Sequence, residues 1–187
     1  MSEKQNHLLC YREDSALLVI DVQERIFDVM QNKENVLTNI VKLVKAFRLM
    51  DVPVFYTEQY PKGLGYTHPL VREELSGLTA YQKMSFSCAG NIDLVDELEE
   101  KDYENIIVCG VESHVCVQQT VLDLLFAGFN VNLVVDAVSS RKMMDYDIAV
   151  KRMLDSGATL CTTESIIFEL LQESGTPLFK EVSKLIK

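Results

Sequence analysis

Apolar residues in this chain arrive in short solid runs. Residues 16–20 (Ala-Leu-Leu-Val-Ile) are the clearest case and 106–109 another, while 53–57 and 131–135 are mostly apolar and read as strands too. A continuous apolar run of that length reads as a strand covered on both faces. Between the runs the spacing changes. Val36, Ile40, Leu43, Val44 and Phe47 recur every three or four positions and predict a helix over 35–50. Further helices are predicted over 91–101, 117–126, 145–156 and 164–172, with a short strand at 159–161 and a last short helix over 177–186. Asn91 and Thr162 stand where N-caps belong, and Gly128 and Gly157 where helices stop. Strand and helix thus alternate, which predicts an α/β fold: a doubly wound, mostly parallel sheet with helices on both faces, a Rossmann-type three-layer arrangement. Residues 58–87 break the rhythm. They are rich in Gly, Pro, Tyr and Ser and long for a simple connection, as active-site walls and oligomer contacts often are. There is no internal repeat and no linker, so one domain is expected over 1–187, with its core at about 14–173.

Composition narrows the classes. The chain has 187 residues, 48% hydrophobic and 25% charged, and a formal net charge of −10. A field of that sign opposes nucleic acid and anionic membranes. No apolar run approaches the ~20 residues of a membrane helix. Residues 1–7 lack the basic-then-apolar pattern of a signal peptide and the Arg-rich pattern of an organelle presequence. Cys10, Cys88, Cys109, Cys116 and Cys161 form an odd set with no CxxC. The expected location is therefore the reducing cytoplasm, with organelle import by a route without such a presequence left open.

The strongest chemical signal is Gly110-Val111-Glu112-Ser113-His114-Val115-Cys116. It follows a strand and opens a helix. A helix N-terminus favours thiolate over thiol, and strand C-termini are where open α/β sheets bind ligands. Cys116 is thus a candidate nucleophile, against the plain alternative of a small buried apolar residue. Asp21 directly follows the run 16–20 and faces the same crevice as a candidate general base; a helix cap or surface acid is its competitor. Lys83 is the only basic residue between Arg72 and Lys101. It could stabilise a thiolate and pair with Asp21, or it could be an ordinary solvated lysine.

Together these segments resemble the isochorismatase-like cysteine hydrolases. The resemblance rests on Leu18-Val19-Ile20-Asp21-Val22-Gln23, on Lys83-Met84-Ser85-Phe86-Ser87, on the Cys116 segment, and on Asp136-Ala137-Val138-Ser139-Ser140-Arg141. It implies Asp21, Lys83 and Cys116 as a catalytic triad. Asp21 would take the thiol proton, Lys83 would hold both partners, and the sulfur would attack a carbonyl to form a thioester that water resolves. It also implies a cis peptide joining Val111 to Glu112, and an oxyanion loop over Val111, Glu112 and Cys116.

Metal-binding members carry an Asp/His cluster after the second strand. Residues 58–68 offer one histidine, His68, and no aspartate. Neither metal nor other cofactor is therefore expected, and nicotinamide loses ground as a substrate. Retention of Cys116 favours acyl or amide chemistry over vinyl-ether cleavage, and residues 59–65 look like the branch without an assigned substrate. Gln23, Phe27 and Tyr60 are weaker candidates for lining a substrate crevice. Arg141 could meet an anionic group or form a surface ion pair. His114 is too close in sequence to Cys116 to face it as a dyad. The expected partners are a small-molecule substrate and further copies of the chain in a homo-oligomer, with no nucleic acid and no membrane. The leading expectation is a hydrolase of small amide or related acyl bonds. A catalytically silent scaffold on the same fold is the alternative, with a nuclease third.

Overall fold

The computed structural model describes residues 8–186. Residues 1–7, read above for a leader, and residue 187 lie outside the described residues. Strand β1 (Ser15–Ile20) leads through α1 (Glu24–Phe27) and the long α2 (Lys33–Leu49) to β2 (Val54–Gln59). Two short helices, α3 (Pro61–Leu64) and α4 (Pro69–Glu74), precede a three-residue strand, β3 (Tyr81–Lys83). Then come α5 (Ile92–Glu100), β4 (Asn105–Val111), a π-helical turn (Ser113–Val117) and α6 (Gln118–Ala127). The chain closes with β5 (Asn130–Ser139), α7 (Met143–Asp155), β6 (Thr159–Cys161), α8 (Thr163–Leu171) and α9 (Pro177–Ile186).

The six strands form one sheet in the order β3-β2-β1-β4-β5-β6, every neighbouring pair parallel. This is the predicted doubly wound α/β architecture. Alternate residues of β1 supply its two cores. Leu17 and Val19 pack with Ile40, Leu43 and Phe47 of α2 and with Ile167 and Leu170 of α8. Ala16, Leu18 and Ile20 pack on the opposite face with Leu98 of α5, Val121 and Leu124 of α6 and Met153 of α7. All of β1 is buried, as a solid apolar run in a two-sided sheet requires. Among the described residues no helix is long and apolar enough to cross a membrane.

Local signals account for the element ends. Asn91 accepts from the Leu94 N–H at 3.1 Å and caps α5, while Thr162 accepts from Ser165 and caps α8. Gly128 ends α6 at φ 99°. Several elements differ from the sequence reading, and helices α1, α3 and α4 were not predicted at all. The irregular stretch contains β3, which pairs with the end of β2 at the sheet edge (Gln59↔Lys83). Strand β5 is longer than predicted because its register jumps, from Val108↔Leu133 to Gly110↔Val138, so a bulge absorbs the extra residues. The Cys116 helix opens with a π turn.

Candidate active site

Order reverses in this sheet between β1 and β4, and ligands of open α/β folds collect at such a point, outside the strand C-termini. The chain places its three candidate residues there. Asp21 follows β1 and turns the backbone sharply at φ 50°. Lys83 ends β3, two strands away. Cys116 lies in the turn that follows β4, just past a cis peptide between Val111 and Glu112. At Gly110 the strand ends approach closely. The residue sits at φ 118°, and a Cβ there would collide with the Ile20 backbone carbonyl.

The side chains converge out of water. Lys83 Nζ donates to Asp21 Oδ2 at 2.6 Å, with the two side chains 1% and 2% exposed. Lys83 also donates to Gln59 Oε1 (2.9 Å) and to the carbonyls of Phe86 (2.9 Å) and Ser85 (3.2 Å). Burial opposes the ammonium charge, yet the negative charge that Cys88, Asp21 and Cys116 can carry outweighs it and holds Lys83 above the usual lysine value. Asp21 Oδ1 accepts from Thr57 Oγ1 at 2.7 Å. The Asp21 charge also bears on the Cys116 thiol. One carboxylate thus holds an ammonium and a hydroxyl and acts on a thiol.

The protonation of Cys116 corrects the sequence reading. A helix N-terminus alone would favour thiolate. Burial pushes this thiol well above the ordinary range, and the adjacent Asp21 charge adds to the rise; Lys83 opposes it without reversing it. The resting residue is a neutral thiol next to a base. It can become a nucleophile when its proton passes to Asp21 as a bond forms.

Of the weaker candidates, Gln23 is fully buried and its amide is taken up by backbone. Its Nε2 donates to the carbonyls of Gln59 (3.0 Å) and Gly65 (2.7 Å), and its Oε1 accepts from the Gln59 N–H (2.7 Å). It clamps the loop after β2 to the end of β1 instead of lining a crevice. Phe27 is buried in the core, with its ring 5.9 Å from that of His68. Tyr60 is half-exposed and lines a cavity of about 460 Å³ with Lys62, Tyr66, Gln82, Lys83 and Met84. Neither Asp21 nor Cys116 lines that cavity, so it lies beside the cluster, along the edge strand. Arg141 donates to Glu112 Oε1 at 2.7 Å. His114 faces Ser140 Oγ at 3.0 Å. His68 Nδ1 accepts from the Leu70 N–H and caps α4. Among the described residues no group of three or more His, Cys, Asp or Glu is placed to hold a metal ion.

Thr57, Gln59 and Cys88 join the site without having been singled out in the sequence. Gln59 stands between Lys83 and the Met84 carbonyl. Because lysine only donates, the amide oxygen must face Nζ, and Nε2 then donates to Met84 at 2.9 Å. The β2–β3 pairing of Gln59 with Lys83 was the signal for it, and that pairing is invisible until β3 is recognised.

A family model described as Isochorismatase domain matches residues 15–165. Isochorismatase domain-containing protein 2A of Mus musculus is 38% identical over 176 residues, covering 94% of this chain and 84% of that protein. The structure of MAR1 ribonuclease from Caenorhabditis elegans matches with a TM-score of 0.90 and 42% identity, over 95% of this chain and 92% of that one. The YcaC gene product of Escherichia coli, described as an octameric hydrolase of unknown specificity, matches with a TM-score of 0.89 at 20% identity, over 97% and 92%, a likeness of fold.

Proposed function

Since the chain belongs to the isochorismatase domain family, we propose that it is a cysteine hydrolase that cleaves a small amide or related acyl bond. The observation that carries this reading is the single Asp21 carboxylate, held by Lys83 at 2.6 Å and close enough to the Cys116 thiol for its charge to act on it. Asp21 takes the thiol proton while Cys116 Sγ bonds to the substrate carbonyl carbon. The carbonyl oxygen gains negative charge, which backbone N–H groups of the loop over Val111, Glu112 and Cys116 would stabilise. Asp21 returns the proton to the leaving nitrogen, the C–N bond breaks, and a thioester remains. Water then gives a proton to Asp21 and attacks the thioester, releasing the acid and restoring the thiol. Lys83 holds Asp21 in place through both steps, and Tyr60 lines the cavity beside the cluster. No metal takes part in this scheme. Assembly into a homo-oligomer is supported by the octameric YcaC neighbour.

The test is release of ammonia or amine from a panel of small uncharged amides, with trapping of an acyl adduct on Cys116 by mass spectrometry. Turnover that disappears in Cys116→Ala and in Asp21→Asn supports the reading. Turnover unchanged in Cys116→Ala overturns it. A second reading, cleavage of RNA, draws on the name of the nematode neighbour, at 42% identity. The net charge of −10 works against it. RNA cleavage by the native chain that is lost in Cys116→Ala would assign the same residues to phosphoester chemistry.

A further inference from the structure

The polar contacts around Asp21 continue behind it and close into a ring. Asp21 Oδ1 accepts from the Thr57 hydroxyl at 2.7 Å. Thr57 Oγ1 meets Cys88 Sγ at 3.6 Å. The Cys88 N–H donates to Thr120 Oγ1 at 2.9 Å, and Thr120 donates its own hydroxyl to the Cys116 carbonyl at 2.6 Å. The ring closes where the Asp21 charge acts on the Cys116 thiol. The two threonines and Cys88 are each at most 1% exposed, so water does not compete for these bonds.

The direction of nearly every proton in this ring is forced. An ionised carboxylate only accepts, so the single hydroxyl proton of Thr57 points at Asp21. Cys88 must then be the donor in its contact with Thr57. A carbonyl only accepts, so the Thr120 proton points at Cys116, and the Cys88 N–H fills the remaining side of that hydroxyl. With Lys83 on Oδ2 and Thr57 on Oδ1, each carboxylate oxygen has a fixed donor. The plane of the base is thereby set by two groups on different strands.

We propose that Thr57 is the positioning residue of the base: its hydroxyl fixes the Asp21 carboxylate in the one orientation that receives the Cys116 proton, and the Cys88–Thr120 link ties that orientation to the backbone of the nucleophile. This rests on the hydrolase reading of Asp21 and Cys116. Bonds to a charged acceptor are stronger than neutral ones, and buried ones are not replaced by solvent. The Thr57 hydroxyl also draws charge away from Asp21, whose charge opposes thiolate formation. Its removal strengthens that opposition as well as freeing the carboxylate to turn.

The test compares Thr57→Val, which keeps the shape and removes the hydroxyl, with Thr57→Ser, which restores the hydroxyl. The readout is the pH profile of Cys116 alkylation by iodoacetamide, followed by peptide mass spectrometry in the full chain. A lost charge-assisted bond predicts a fall of about tenfold or more at pH 7.5 in Thr57→Val, and a profile displaced to higher pH. Thr57→Ser returns most of the way to the native profile. A Thr57→Val profile that overlays the native one overturns the proposal, and so does a Thr57→Ser profile as poor as that of Thr57→Val. Where Thr57→Val does not fold, Thr57→Ala against Thr57→Ser isolates the hydroxyl, and coincident profiles overturn the proposal. Amide turnover by the native chain is read separately. The positioning role can therefore fail while the hydrolase reading stands.

Discussion

Lys83 and Asp21 form a buried pair whose worth can be measured by breaking it from either side. Lys83→Met keeps most of the stem and removes the charge. It strands the Asp21 carboxylate with Thr57 as its hydroxyl donor, and it leaves Gln59 Oε1 and the Ser85 and Phe86 carbonyls without their ammonium. Removing one partner of a buried pair costs roughly 3–5 kcal/mol, and this geometry places Lys83→Met toward the upper end. Asp21→Asn is milder, about 3 kcal/mol, because Lys83 retains three oxygen acceptors and Thr57 can still donate to the amide oxygen. The double variant leaves no charge stranded. Its loss therefore falls short of the sum of the single losses by about 2–3 kcal/mol. Urea unfolding at pH 7, followed by far-ultraviolet circular dichroism, reads all three. With a slope of roughly 1–3 kcal/mol per molar urea, Lys83→Met lowers the midpoint by about 2 M or more. Additive losses, or a Lys83→Met chain as stable as Asp21→Asn, would refute the account of a mutually dependent pair.

Two further outcomes follow from particular buried groups. Cys88 and Cys109 are wholly buried thiols raised above the ordinary value of 9.0 chiefly by desolvation, Cys88 to about 11. The unfolded chain therefore releases protons from about pH 9 upward that the native chain keeps. Stability is level below that pH and falls above it by up to about 1.4 kcal/mol per pH unit for each thiol. Unfolding curves at pH 8 and pH 10.5 check this; equal stability at the two would contradict it. Gln23→Ala removes the clamp on Gln59 and Gly65 and leaves buried backbone groups unpaired, a loss of about 2–3 kcal/mol. Hydrogen exchange should quicken at residues 59–66, and unchanged protection there would show that the clamp is dispensable.

The long apolar runs made the central strands legible, because a run such as 16–20 has few other uses. Helix ends were legible wherever a cap was present, as at Asn91, Gly128 and Thr162. Asp21 stood out because it follows such a strand directly, and Cys116 because its segment runs from a strand into a helix. The edge strand was not legible. Tyr81-Gln82-Lys83 is too short for any period to show, and its pairing with β2 is set by tertiary contact. Gln23 follows Asp21 closely, which suggests a place on the crevice wall, whereas its amide satisfies three backbone groups. Thr57 and Cys88 read as ordinary strand and loop residues; only the three-dimensional ring gives them a role. The resting state of Cys116 was hidden for a related reason. Its helix position can be read from sequence, but the depth of its burial and the nearness of Asp21 cannot.

Lys83 stands on the shortest and outermost side of the site, on a strand that touches the rest of the sheet through one neighbour. Edge segments of this kind open more readily than the strands they border. Opening of β3 would part Asp21 from its cation without moving the turn that carries Cys116. The integrity of the constellation is thereby tied to the stability of the outermost strand, and anything packed against the outer edge of β3 would bear on the pair without touching a reacting atom.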